Sequence, residues 1–147
     1  MTKSNIITPL KIVFLGVLAI TMPILLGSCS HKMSFMTSVV VPAARGTLSY
    51  KKDANSNYVI KIQLSNLAEA TRLTPPKEAY VVWMVTDNDV IKNLGQINSS
   101  TKLLSKNLKA SFETVSSSKP SRIFITAEEH GNVQFPNLQV ILETASF

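Results

Sequence analysis

The segment AYVVWMVT, residues 79–86, runs apolar from Ala79 to Val85 without interruption. A strand buried on one side alternates with period two, so a run that is apolar on both sides needs cover on both faces. This one segment therefore demands a layered fold with the strand at its centre. Its seven residues fall far short of the roughly 20 needed to span a bilayer as a helix, so the cover is expected to be protein.

The surrounding sequence offers the other layers. NYVIKIQLS (57–65) places Tyr58, Ile60, Ile62 and Leu64 on one face and Val59, Lys61 and Gln63 on the other, the pattern of a half-buried strand. RGTLSYKK (45–52) pairs with it across the turn-rich KKDANSN (51–57). MTSVVV (36–41), VIKNLGQIN (90–98), LKASFETV (108–115), SRIFITAEE (121–129) and LQVILETA (138–145) bring the count to about eight short, regularly spaced strands, the signature of a sandwich or barrel. STKLLSKNLKA (100–110) is the stretch that competes as a helix, through Leu103, Leu104 and Leu108. The loop 66–78 holds Pro75 and Pro76, which cannot pair in a ladder and mark a crossover. The expected fold class is all-β: a single antiparallel β-sandwich of Ig-like or Greek-key type, with about 7–8 strands, over residues 38–147.

Upstream, Lys3 and Lys11 precede an uncharged apolar run from Ile12 to Gly27, followed by Gly27 and Ser28 and the chain's single cysteine, Cys29. A basic segment, an apolar segment and a small-residue cleavage site form a secretory signal. Leu26, Gly27, Ser28 and Cys29 also resemble the lipobox of bacterial lipoproteins. That resemblance implies cleavage between Ser28 and Cys29, a diacylglyceryl group on the Cys29 thiol, and a mature protein anchored in the membrane. Two acyl chains give stable anchoring where one gives only marginal residence. An uncleaved transmembrane helix competes, because residues 12–31 carry no formal charge. Against it stand Thr21, Pro23, Gly27, Ser28 and Ser30 within the run, and the lack of a basic cluster after it. The expected division is a signal peptide over 1–28, a lipidated tether over 29–37 reaching roughly 25 Å from the membrane, and the sandwich.

Removing residues 1–28 leaves 13 of the 15 basic side chains and all nine acidic ones. The mild positive excess could favour anionic head groups by diffuse attraction, but the longest basic run is Lys51-Lys52, and nucleic acid is not an expected partner. With the sole thiol at Cys29, no disulfide is expected, and the domain must be stable through its core. A mature chain of this size can bury about two-thirds of its unfolded surface, which is sufficient.

The order of elements ARGTLSY (44–50), a proline loop with Leu67, Leu73, Pro75 and Pro76, YVVWMV (80–85), Gly95, ASF (110–112) and IFITAEE (123–129) resembles the extracytoplasmic C-terminal domain of anti-sigma-K factors. The resemblance covers residues 40–143 and implies a sensor-like module acting with a membrane signalling partner. HGNVQFPN (130–137) stands where that family carries a Gly- and Pro-rich loop. Only a signal precedes the anchor, so sigma-factor binding is not carried over.

Side chains capable of chemistry are few. His31 reads as a solvated residue of the tether. His130, beside Glu128 and Glu129, has the ligand types of a zinc-like site, but Glu-Glu-His-Gly is also an ordinary turn. Asp87 and Asp89 in TDNDV match part of a calcium loop without its glycine and distal glutamate, and read as a hairpin turn. No serine lies in a Gly-x-Ser-x-Gly elbow. Tyr80 and Trp83 could bind carbohydrate or peptide, yet on a doubly apolar strand they are expected in the core. The expectation is a non-catalytic envelope protein without metal or cofactor, facing the periplasm and held at a membrane through Cys29. Ser30 after the cysteine slightly favours the outer membrane. The protein or envelope component it binds would meet loops 66–78, 86–90 and 128–137, since sandwich scaffolds present function on connections.

Overall fold

Alternation along 45–52 and 58–65 becomes a hairpin in the folded chain: strands β2 (Arg45–Lys52) and β3 (Tyr58–Ser65) pair antiparallel with Leu48 opposite Ile62 and Tyr50 opposite Ile60. The connection is an Asp-anchored turn in which the Asp53 carboxylate accepts the backbone N–H groups of Asn55 and Asn57, the local side-chain bonding that favours aspartate in turns. A computed structural model describes residues 30–97 and 109–147 of the chain. Flanking the hairpin are β1 (His31–Ser34) on β2 and β6 (Ala110–Ser116) on β3, giving a four-stranded antiparallel sheet in the order β1-β2-β3-β6.

The second sheet runs β5-β4-β7-β8, built from β4 (Ala79–Thr86), β5 (Ile91–Ile97), β7 (Pro120–Glu128) and β8 (Val140–Glu143). The two sheets form an open antiparallel β-sandwich. Between them lie Leu48, Ile60, Ile62 and Leu64 from one side and Tyr80, Val82, Met84, Ile123, Ile125 and Ile141 from the other. Every residue of β4 is buried. Tyr80, Val82 and Met84 face the inter-sheet core, while Val81, Trp83 and Val85 join Phe124 in a separate cluster on the outer face. The double burial expected from AYVVWMVT thus has two different covers: the opposite sheet inside, and the loop between β7 and β8 outside, which lays Val133 on the outer cluster.

Two sequence expectations are corrected. The valine-rich 36–41 is not a strand: Val39 is 94% exposed, and Ser38 Oγ accepts the Val41 N–H in a turn. The strand lies earlier, at His31–Ser34, inside the stretch expected as a tether. The reason is a competition for partners. Main-chain groups of 31–34 meet the open edge of β2, after which Phe35 turns into the core and the Met36 N–H donates to the Glu143 carbonyl at the end of β8. The valines have no ladder left to join. The last strand is also shorter than expected, because Leu138 is 97% exposed and pairing begins only near Val140. The helix considered at 100–110 lies mainly outside the described residues; Ala110, its last position, is the first residue of β6.

Gly95 has a local role. A register shift in the β4–β5 ladder at Val82/Trp83 faces a backbone with Gly95 at φ 129°, a conformation that L side chains avoid. The Asn93 side chain accepts the Gly95 N–H there.

Candidate functional site

The strand registers sort the connections into two ends. At one end lie the start of β1, the β2–β3 turn, the β4–β5 turn and the β6–β7 turn. At the other lie residues 35–44, the crossover 66–78 and the loop 129–139. Of the three loops singled out in the sequence, two are therefore together and the third is not: 66–78 and 128–137 share an end, and 86–90 sits at the opposite one.

The crossover is held by its own apolar side chains. Leu67, Ala70 and Leu73 are buried around a single 3-10 turn (Ala70–Arg72). Tyr80 Oη donates to the Ala68 carbonyl at 2.9 Å, and burial pushes its phenol up to about 12. Contacts join the crossover to the neighbouring loop. The Glu78 N–H donates to the Glu128 carbonyl at 3.0 Å, and Lys77 pairs with Glu129. His130 Nδ1 lies 3.3 Å from a Glu78 carboxylate oxygen with both side chains about 70% exposed. His130 thus meets Glu78 of the crossover. Among the described residues no three His, Cys, Asp or Glu side chains converge as a metal site would require.

Beneath the loop 129–139 runs a chain of buried polar groups. Trp83 Nε1 donates to Thr126 Oγ1 at 2.8 Å, the Thr126 hydroxyl donates to Glu128 Oε1, and the same oxygen accepts the Asn137 N–H at 2.8 Å. Thr126 is 0% and Glu128 4% exposed. From the β5 side, Asn93 Nδ2 donates to the Val133 carbonyl at 2.8 Å and to that of Gly131 at 3.3 Å. The loop backbone is pinned from both flanking strands. Its apolar side chains Phe135 and Leu138 nevertheless point into solvent, 81% and 97% exposed.

Trp83 and Tyr80 are core residues, as their strand pattern implies. His31 stacks on Tyr50, with ring centroids 5.0 Å apart, rather than standing in a spacer. Asp87 and Asp89 belong to a tight turn in which Thr86 Oγ1 accepts the Asn88 and Val90 N–H groups and Asp89 takes φ 59°. Ser28 and Cys29 lie outside the described residues. The polar chain Thr126–Glu128 was missed in the sequence. Its signal was there: two polar residues at i and i+2, on the same face of β7 as Phe124.

A hollow of about 820 Å³ opens near the same end, between Phe35, Arg45, Leu64, Ala110 and Ser111. It borders Lys109, which adjoins the undescribed segment 98–108. Comparison with family models, curated proteins and solved structures finds no match for this chain.

Proposed function

We propose that this is a lipid-anchored, non-catalytic envelope protein whose β-sandwich binds another protein or an envelope component through the end carrying loops 66–78 and 129–139. The observation that carries the binding reading is the pinned loop. A backbone fixed by Asn93 and Glu128 presents Phe135 and Leu138 to solvent. Ordering a loop on binding costs entropy, so a loop already fixed presents its apolar anchors with less of that cost. Large apolar side chains exposed on a loop of fixed backbone are the anchors that interfaces use. The anchoring half of the proposal rests on Leu26-Gly27-Ser28-Cys29.

Two measurements test it. Cys29→Ala should shift the protein out of the membrane fraction and leave an uncut precursor; normal partitioning of the variant refutes the anchor. A photo-crosslinking residue at position 138 should capture one discrete species in cells, and the same probe at exposed Glu113 on β6 should not. Equal labelling from both positions refutes the loop as the binding surface.

A further inference from the structure

We infer that the end of the sandwich bearing Ser30 rests directly on the head groups of an anionic bilayer, so that the loop end faces away from the membrane. This rests on the lipid-anchor reading and adds an orientation and a second contact surface to it.

The argument begins with chain length. The sheet starts at His31, so Ser30 alone separates it from Cys29. Two residue steps span at most about 7 Å, comparable with the roughly 5–7 Å depth of one head-group layer. No spacer remains to lift the domain clear. Whatever surrounds His31 must meet the head groups.

What surrounds it is suited to them. The three turns 53–57, 87–90 and 117–119 lie at this end, the last two tied together by the Asp87 N–H donating to the Lys119 carbonyl and Lys92 Nζ donating to Ser118 Oγ. Lys32, Lys51, Lys52, Lys92 and Lys119 are here, all exposed. Among the described residues none of these five forms a salt bridge, whereas at the opposite end Arg72, Lys77 and His130 each face a glutamate and only Arg45 and Lys109 do not. The nearby acids are Asp53, whose carboxylate is engaged by its own turn, and Asp87 and Asp89. Val90 and Ile91 are about half exposed, and the exposed rings of His31 and Phe147 stack on the buried Tyr50 at centroid distances of 5.0 and 5.2 Å. Lysines without acidic partners are drawn to an anionic surface, and exposed apolar side chains such as Val90, Ile91 and Phe147 bury apolar area at the head-group boundary.

The test uses the full-length lipidated chain reconstituted into vesicles of phosphatidylethanolamine and phosphatidylglycerol. Asn88→Cys and, separately, Asn132→Cys carry an environment-sensitive fluorophore, with Ser117→Cys as a second reporter at the anchor end. Nitroxide-labelled head groups should quench positions 88 and 117 several-fold more strongly than position 132, and replacing phosphatidylglycerol with phosphatidylcholine should reduce the difference. Equal quenching at 88, 117 and 132 overturns the orientation, and a difference unaffected by lipid charge overturns the anionic contact. Intact mass separates the two proposals: lipid on Cys29 with unquenched 88 and 117 refutes this inference alone, and an unmodified Cys29 refutes both.

Discussion

Thr126→Val removes one oxygen and changes little else, since valine keeps the branching and nearly the volume of threonine. That oxygen has two partners: it accepts from Trp83 Nε1 and donates to Glu128 Oε1. Without it, a fully buried indole N–H loses its acceptor, which costs about 1–3 kcal/mol. The carboxylate loses one of its two donors but keeps the Asn137 N–H, so the second loss is partial. A total of about 2–4 kcal/mol is expected, a large share of the 5–15 kcal/mol that ordinary domains possess. Urea denaturation reads it directly, because Trp83 is the only tryptophan and reports on its own surroundings. The midpoint should fall while the slope stays constant, since the surface exposed on unfolding is unchanged. Trp83→Phe completes a double-mutant cycle, with all four proteins followed by far-ultraviolet circular dichroism because two of them lack the tryptophan, and a coupling of at least 0.5 kcal/mol is expected for groups in direct contact. A loss below about 1 kcal/mol for Thr126→Val, or strict additivity in the cycle, would refute the claim that this hydroxyl links the core to the loop above it.

The remaining predictions concern single positions. Tyr80 has its phenol raised from 10.0 to about 12 by burial, so its neutral form is the one the fold favours. The stabilisation it gives is complete below pH 10 and is lost as pH rises from 10 through 12, by an amount of order 2–3 kcal/mol. Tyr80→Phe should flatten that part of the stability profile, and identical alkaline profiles for the two proteins would contradict the assignment. Gly95→Ala forces a side chain onto φ 129° with its Cβ about 3.4 Å from the Phe112 ring; a cost of about 1–3 kcal/mol is expected, visible as a melting temperature lowered by several degrees. An unchanged melting temperature would mean that the bulge relaxes without strain.

Much of the sandwich was legible because burial on one or both faces leaves a local trace. Ile60, Ile62 and Leu64 alternate with exposed Lys61 and Gln63, and the structure buries that face and exposes the other. β4 reads as doubly covered from composition alone, and it is. What failed was of another kind. Val39, Val40 and Val41 have strand propensity, yet propensity acts only where a partner edge exists, and His31–Ser34 already occupies the β2 edge. Asp53, by contrast, made its turn legible, because its hydrogen bonds close within four residues.

The candidate binding surface was legible as loops and not as a surface. The short polar turn 86–90 and the crossover 66–78, with Leu67, Leu73, Pro75 and Pro76, differ in length and composition, yet nothing local says which end of the sandwich either occupies. The register of β4 against β5 and β7 puts them at opposite ends. Nor could the sequence pair Trp83 with Thr126, which are 43 residues apart.

By itself the sequence determined the faces of strands such as 58–65 and the central position of 79–86, each from the spacing of neighbouring residues. Only the tertiary structure decided which edge each strand takes, what covers Trp83, and which connections meet at each end. Periodicity is a property of a few adjacent residues, and the choice among partners depends on groups far apart in the chain competing for the same backbone edge and the same apolar face.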